Sequence, residues 1–267
     1  MPRSSRLVVG LLAAIVVATA GCTLPVLAPN DSGTTPQNSS TPAPPAVPGT
    51  QASWQPCPDV PEKLVGRAAA GMTYDCASVA VPQNWAAPKT GQTYNVAMIR
   101  IRSATQRNRI GSLLINPGGP GGSGIDTAVY LSFGQALGGL PTAVTNQFDI
   151  IGFDPRGVGR SDPIKCISNA EQDASFAADP DPVNQADFDS IVALNKKIAA
   201  GCGQKYGDQL VNFSTEQAAR DMDAIRAAVG DPKLSYLGFS YGTLLGATYA
   251  QLERPVQFNL AEVLTSR

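Results

Sequence analysis

The sequence contains no histidine, the side chain that most often serves as a general base near neutral pH. A mechanism in which a histidine of these 267 residues activates a nucleophile is therefore excluded. The sequence also carries almost no net charge, with 20 Lys and Arg against 21 Asp and Glu. An even charge balance offers no basic patch to a polyanion, so we expect no nucleic-acid partner.

Patterns for metal and phosphate binding are missing as well. No two cysteines stand at Cys-x-x-Cys spacing, which disfavours a zinc site. A glycine-rich stretch at 116–124 is not followed by Gly-Lys-Ser or Gly-Lys-Thr, which disfavours a phosphate-binding loop. We therefore predict neither a cofactor nor a metal ion.

Residues 1–22 have the composition of a secretory signal peptide. Arg3 and Arg6 precede an apolar run at 7–18, which is too short for an ordinary membrane span. Small residues follow, and Cys22 comes directly after Ala-Gly. This ending resembles the lipobox of bacterial lipoproteins and predicts a lipid anchor on Cys22. The alternative is an ordinary secretory signal with an incidental cysteine.

The remaining chain divides into three parts by composition. Residues 23–53 are rich in Pro, Ser, Thr and Asn with almost no charge, which predicts a disordered tether. Residues 54–252 carry the apolar runs of one folded domain, and 253–267 form a divergent tail. The expected location is exported, either on the cell membrane through the lipid or elsewhere in the envelope or medium.

Four cysteines lie in the predicted folded domain, and an even number in an exported chain favours disulfides. They are Cys57, Cys76, Cys166 and Cys202. Three pairings are possible. We prefer Cys57–Cys76 and Cys166–Cys202, because each pair brackets one loop-rich stretch.

Apolar runs predict the secondary structure of the folded domain. Strands are predicted at 78–82, at 94–101 as a sheet edge, and at 112–115 and 148–153 as strands buried on both faces. An amphipathic helix covering 188–199 is expected to pack on a face of the sheet.

A Gly-x-Ser-x-Gly pattern, Gly238 to Gly242, stands between a short apolar strand and a small-residue segment suited to a helix. A sharp turn of this kind projects the Ser240 hydroxyl above the sheet edge and needs flanking residues without bulk. The N–H of Tyr241 would face a developing oxyanion. Just before it, 214–217 form a capping box and start a helix that ends near Gly230.

Two further loops follow the predicted buried strands. The stretch 116–124 holds five glycines and two prolines, and such a loop can aim a backbone N–H at an anion. Gly119 is the predicted second oxyanion donor, with Gly118 as the alternative. In the turn 154–161, Asp and Arg side chains are expected to hold the loop by a local ion pair.

Together the glycine-rich loop, the Asp-x-Arg-Gly-x-Gly-x-Ser turn and the serine elbow resemble the α/β-hydrolase superfamily. Within it, they resemble the proline iminopeptidase and tripeptidyl aminopeptidase group of exported serine peptidases, from about residue 54 to Leu252. The resemblance implies an incomplete α/β-hydrolase fold, the N-terminal half of a mostly parallel sheet with flanking helices. It implies Ser240 as nucleophile, Tyr241 and Gly119 as the oxyanion hole, and a small peptide or ester substrate.

The superfamily uses a histidine after its last strand, and this sequence has none. No lysine lies close in sequence to Ser240 to replace it. We expect the N-terminal part of a longer serine hydrolase, inactive as this chain; the other interpretation is a complete protein that dispenses with the triad. An esterase or lipase of the same fold is one alternative function, and a non-catalytic envelope lipoprotein or a truncated remnant is another.

Overall fold

The computed structural model describes residues 51–57 and 71–252, together with the backbone of 259–260. The predicted signal peptide, Cys22 and most of the predicted tether and tail lie outside these residues. The described strands are β1 (Gln55–Pro56), β2 (Met72–Pro82), β3 (Thr93–Ser103), β4 (Gly111–Asn116), β5 (Phe148–Phe153), β6 (Ser235–Gly238) and β7 (Asn259–Leu260). The described α-helices are α1 (Gly124–Leu131), α2 (Thr142–Thr145), α3 (Asn169–Ala177), α4 (Gln185–Tyr206), α5 (Thr215–Ala228) and α6 (Tyr241–Leu252). Short 3-10 helices lie at Pro88–Thr90, Gln135–Leu137 and Gly207–Phe213.

The described strands form one mixed sheet in the order β1-β2-β3-β5-β4-β6-β7. Strands β1, β2 and β3 pair antiparallel, and β3 is also antiparallel to β5. Strand β4 lies between β5 and β6 and is parallel to both, and β7 is parallel to β6. The carboxyl ends of β4, β5 and β6 therefore meet at one edge, where α/β sheets place their ligands.

Both faces of the sheet are covered by helices, as the alternation of side chains along β4 requires. Leu114 is buried with Met222 of α5 and Leu245 of α6 on one face. On the other face, Leu113 and Ile115 are buried with Ile125 of α1. The two clusters explain why β4 and β5 are continuous apolar runs, and they confirm the predicted α/β architecture with flanking helices.

Two predictions about individual elements were wrong. The strand predicted for 94–101 as a sheet edge is β3, which lies inside the sheet between β2 and β5. Its alternation of apolar and polar residues arises because one face of the strand is more deeply buried than the other, and not because the strand lies at an edge. Helix α4 was expected to pack on the sheet, but it has no buried residue and packs mainly on the 3-10 helix Gly207–Phe213.

Both predicted disulfides are present in the structure. Cys57 is bonded to Cys76 at the start of the sheet, and Cys166 is bonded to Cys202 of α4. The second bond ties the chain entering α3 to the far end of α4. Disulfides form and persist in oxidising compartments, which agrees with an exported chain.

In the part of the chain that the structure describes, no helix combines the length and apolar character needed to cross a membrane.

Candidate active site

Ser240 occupies the sharp turn between β6 and α6. Its backbone φ is +51°, a left-handed conformation that side chains rarely adopt, and the residue is exposed. The turn is closed by two hydrogen bonds, from Gly242 N to Phe239 O at 2.7 Å and from Thr243 N to Ser240 O at 2.9 Å. The strained serine is therefore held above the edge of the sheet, as the elbow pattern predicts.

The glycines on both sides of Ser240 allow the turn to close. A Cβ on Gly238 would lie 2.6 Å from Gly242 O, and a Cβ on Gly242 would lie 2.8 Å from Asn116 O. Below the turn, the Tyr236 hydroxyl donates to Gly242 O at 2.8 Å. Burial raises the pKa of Tyr236, so its hydroxyl stays protonated as a donor.

The glycine-rich loop packs directly on this elbow. Phe239 N donates to Asn116 O at 3.0 Å, which joins the elbow to the end of β4. Gly118 has φ +91°, and a Cβ there would lie 2.8 Å from Tyr241 N and would also collide with Phe239 O. Only glycine permits this approach, so the backbone of the glycine-rich loop lies in direct contact with the first residue of α6.

The backbone amides of the two loops differ in what they already bind. Gly118 N donates to Asn116 Oδ1 at 2.9 Å. By contrast, the N–H groups of Gly119 and Tyr241 donate to no acceptor within the described residues. An oxyanion needs donors that are not already occupied, and the role of Gly119 as the second donor stays a prediction.

Asp154, at the end of β5, fixes the far end of the glycine-rich loop. Its carboxylate is fully buried and accepts hydrogen bonds from Ser123 Oγ at 2.6 Å, Ile125 N at 3.3 Å and Arg160 N at 2.8 Å. Ser123 is the N-cap of α1, which the loop enters. Asp154 therefore joins two loops that both border the elbow.

Arg156 lies in the same turn, but its partner is distant in sequence. Its guanidinium forms a bidentate ion pair with Asp221 of α5, and the Trp85 indole also donates to that carboxylate at 2.8 Å. Burial raises the pKa of Asp221, and the hydrogen bonds from Arg156 and Trp85 oppose that rise. The predicted local ion pair is thus right for Asp154 and Arg160, whose charged atoms lie 3.8 Å apart, and wrong for Arg156.

A cavity of about 270 Å³ adjoins the elbow. Its wall is formed by the glycine-rich loop, the turn after β5 and the first turns of α5 and α6, including Gly118, Val158 and Tyr241. The cavity thus reaches Tyr241, whose N–H is one of the two amides without an acceptor among the described residues. Its position at the carboxyl ends of β4, β5 and β6 is typical of ligand sites in such sheets.

No described side chain stands ready to deprotonate Ser240. In the part of the chain covered by the structure, Ser240 Oγ makes no hydrogen bond, and the whole sequence lacks histidine. The same described residues contain no cluster of His, Cys, Asp and Glu side chains that could hold a metal ion. The geometry supplies an exposed hydroxyl and two free N–H donors, but not the base that a serine needs at neutral pH.

Residues 111–257, more than half of the chain, match the family model for the alpha/beta hydrolase fold, and the chain belongs to this family. The match includes the glycine-rich loop, the turn after β5 and the serine elbow. The superfamily predicted from these three motifs is therefore confirmed.

Several relatives of known name are similar to this chain. The tripeptidyl aminopeptidase of Streptomyces coelicolor is 42% identical over 178 residues, which are 66% of this chain and 32% of that protein. The serine protease Hip1 of Mycobacterium bovis is 39% identical over 209 residues, 76% of this chain and 37% of that protein. Carboxylesterase B of Mycobacterium tuberculosis is 37% identical over 210 residues, with 77% and 38% covered. The predicted resemblance to the tripeptidyl aminopeptidase group is confirmed, and the chain spans about a third of the length of these relatives.

Among solved structures, the proline iminopeptidase of Mycobacterium smegmatis is 16% identical with a TM-score of 0.36, covering 65% of this chain and 38% of that one.

Sequence reasoning missed two residues of the site. Asn116 and Asp221 are both buried and polar, and each holds a loop through hydrogen bonds. For Asn116 a signal was available, since it is the first polar residue after the apolar run of β4. Asp221 sits on the predicted helix α5 without any local sign that Arg156 would reach it.

Proposed function

We propose that this chain supplies the nucleophile and the oxyanion hole of a serine hydrolase that resembles exported aminopeptidases. Ser240 attacks the carbonyl carbon of a peptide or ester bond, and its hydroxyl proton passes to a base that is not assigned within these residues. The N–H groups of Tyr241 and Gly119 stabilise the negative charge that develops on the carbonyl oxygen. The C–N or C–O bond then breaks, so that the amine or alcohol leaves and the acyl-enzyme remains. The observation that carries this proposal is the exposed Ser240 at φ +51°, beside two N–H groups that have no acceptor among the residues the structure describes.

For the substrate, we favour a peptide with a free N-terminus. The support comes from relatives named tripeptidyl aminopeptidase at 42% identity. Ester hydrolysis is the second candidate, because a relative named carboxylesterase B is 37% identical over a longer stretch of this chain. Both reactions proceed through the same acyl-enzyme and the same oxyanion hole, so the residues named above serve either one.

The base and the acid of the triad are not assigned within these residues. Without a histidine, only the oxyanion hole and substrate binding remain, and related triads lose several orders of magnitude when the base is removed. We therefore expect this chain on its own to be nearly inactive in turnover. The alternative from another functional class is a non-catalytic protein that keeps the elbow as part of a ligand pocket.

Covalent labelling tests the nucleophile without requiring turnover. The chain is incubated with a fluorophosphonate over long times, and the modified peptide is identified by mass spectrometry. We expect slow labelling at Ser240 that is lost in Ser240→Ala and kept in Ser190→Ala, a matched change at an exposed serine of α4. Equal labelling of the folded wild type and of Ser240→Ala would reject the proposal in favour of a binding module.

We also propose that the chain is anchored to a membrane through lipid on Cys22. Support comes from the composition of residues 1–22, which is typical of a signal peptide. The two disulfides also support it, because disulfides are typical of exported proteins. In a bacterial host supplied with labelled fatty acid, the wild type should incorporate label and Cys22→Ser should not. Equal incorporation in both would reject the anchor.

A further inference from the structure

Asn116, the last residue of β4, contacts both the glycine-rich loop and the elbow. Its side-chain Oδ1 accepts a hydrogen bond from Gly118 N at 2.9 Å. Its backbone O accepts from Phe239 N at 3.0 Å. A Cβ on Gly242 would lie 2.9 Å from Oδ1, so the carboxamide also lies against the first turn of α6. Because the residue is 1% exposed, water does not compete for these bonds, and Asn116 fixes the loop relative to the elbow.

The amides of Gly118 and Gly119 have different surroundings. Gly118 is buried, and its N–H is occupied by Asn116 Oδ1. Gly119 is exposed, and its N–H has no acceptor among the residues that the structure describes. Gly118 O accepts from Gly122 N at 3.0 Å, which fixes the peptide unit between the two glycines. Since the N–H of a trans peptide points opposite to its C=O, Gly119 N–H is directed away from Gly122.

The carboxamide of Asn116 leaves one of its own polar atoms unsatisfied. Its Nδ2 is buried and has no acceptor among the described residues, and a buried donor without a partner lowers stability. An ionised carboxylate at this position would accept from Gly118 N without leaving any donor unpaired. It would also place a negative charge beside the loop and the elbow, where it would repel a developing oxyanion. The side chain at 116 therefore matches the charge of an oxyanion rather than the needs of stability.

We propose that Asn116 is a positioning residue of the oxyanion hole. Its amide oxygen occupies Gly118 N and leaves Gly119 N to the oxyanion, while its neutrality keeps negative charge away from that oxygen. The proposal rests on the proposed function, because the negative charge arises only when Ser240 attacks a carbonyl. Asn116 acts through the loop and is not itself a donor to the oxyanion.

Ionisable groups from several elements border the same space as Asn116. Arg156, in the turn after β5, lines the cavity with it and is paired with Asp221 of α5. The Tyr241 side chain of α6 lines the same cavity. The Tyr236 hydroxyl of β6 stays protonated because burial raises its pKa. These groups are common to the wild type and the variants below, so each rate is divided by the wild-type rate at the same pH.

Fluorophosphonate labelling of Ser240 in the full chain between pH 4 and 9 separates the charge of this side chain from its role as an acceptor. Asn116→Asp keeps an acceptor for Gly118 N, and its relative rate should fall at least about tenfold as rising pH ionises the introduced carboxyl. Asn116→Ala loses the acceptor, and its relative rate should be about tenfold lower at every pH. Asn195→Asp, at an exposed position of α4, is the matched control and should label at the wild-type rate.

Hydrogen exchange provides a readout that needs no labelling. In the wild type, Gly118 N–H should be at least about tenfold better protected than Gly119 N–H. Asn116→Ala should lose this protection, whereas Asn116→Asp should keep it at each pH and so show that the loop is intact. Equal protection of the two amides in the wild type, or unchanged protection in Asn116→Ala, would overturn the proposal.

The labelling results separate this proposal from the proposed function. Labelling of the wild type at Ser240, with a relative rate of folded Asn116→Asp that does not change with pH, would keep the nucleophile and overturn the role of Asn116. Thermal melts identify a variant that fails to fold; if Asn116→Asp does, the rate and exchange of Asn116→Ala decide, and wild-type labelling by a folded Asn116→Ala overturns the proposal. Absence of labelling in the folded wild type would reject the proposed function and this role together, even with the exchange pattern intact.

Discussion

Arg156 and Asp221 are 65 residues apart in the sequence and form a bidentate ion pair in which each side chain is 1% exposed. The pair joins the turn after β5 to helix α5 beneath the cavity. A buried pair is costly to break because one charge is left without its partner.

Removing the cation of this pair should strongly destabilise the fold. Arg156→Met leaves the buried Asp221 carboxylate with the Trp85 indole as a donor and should lower the free energy of unfolding by about 3–5 kcal/mol. Arg160→Met, in the same turn, removes a half-exposed side chain that pairs with Asp126 and, at 3.8 Å, with Asp154. Because Asp154 keeps its hydrogen bond from the Arg160 backbone N–H, this change should cost no more than about 1 kcal/mol. Urea denaturation measures both. Similar losses in the two variants would contradict the importance of the buried pair.

The contact between the glycine-rich loop and the elbow can be tested with two alanine substitutions. Gly118 and Gly121 share a positive φ, +91° and +105°, so alanine is strained at both positions. Only at Gly118 would the added Cβ collide with the elbow, whereas nothing lies within 4 Å of a Cβ on Gly121. Gly118→Ala should therefore cost about 1–3 kcal/mol more than Gly121→Ala and should abolish labelling of Ser240. Equal stability and equal labelling would show that the loop does not rest on the elbow.

Asp154 should hold the loop that carries Gly119. Three donors, two backbone N–H groups and one hydroxyl, point at the Asp154 carboxylate. In Asp154→Asn an NH2 group replaces one of the two accepting oxygens, so at least one of these donors loses its acceptor. The free energy of unfolding should fall by about 1–3 kcal/mol. Hydrogen exchange should also become faster in 117–125. The control is Asp162→Asn, at an exposed position with φ +46° that asparagine tolerates. The asparagine Oδ1 can keep the one hydrogen bond that this carboxylate accepts, from Asn95 N, so we expect a change within about 0.5 kcal/mol. If hydrogen exchange in 117–125 were unchanged in Asp154→Asn, Asp154 would not be what holds this loop.

Acid should loosen α3 from α4 within a defined pH range. Hydrogen bonds from Lys197 and from Ser168 lower the pKa of Glu171 to about 2, from an ordinary value of 4.5. Because the pKa is lower in the folded chain, the stabilisation is complete above about pH 4.5 and is lost as the pH falls towards 2. NMR titration of Glu171 and hydrogen exchange in α3 should report this, and Glu171→Gln should show no such dependence. A midpoint near 4.5 for Glu171 would contradict the interaction.

Local patterns predicted the elements that a few neighbouring residues determine. The elbow needs only two glycines and a serine between a strand and a helix, and the Ser214 side chain caps α5 by accepting from Gln217 N. The predicted reciprocal half of that capping box is not made, because the Gln217 side chain instead accepts from Trp85 N and donates to Asn84. A tertiary contact of this kind has no trace in the local sequence.

The position of β3 and the exposure of α4 were also beyond the local pattern. An alternating strand is equally suited to an edge and to an interior position between β2 and β5, since the covering of its two faces is decided by other elements. Helix α4 has an apolar stripe, but the Cys166–Cys202 bond and the 3-10 helix Gly207–Phe213 hold it away from the core.

The central claim is that the N–H groups of Gly119 and Tyr241 receive the negative charge that forms when Ser240 attacks a carbonyl. A crystal structure of the chain phosphonylated at Ser240 tests this most directly, since the phosphonyl oxygen takes the place of the oxyanion. We expect that oxygen to lie about 2.7–3.1 Å from both nitrogens. A phosphonyl oxygen turned towards solvent, or bound to neither N–H, would contradict the account.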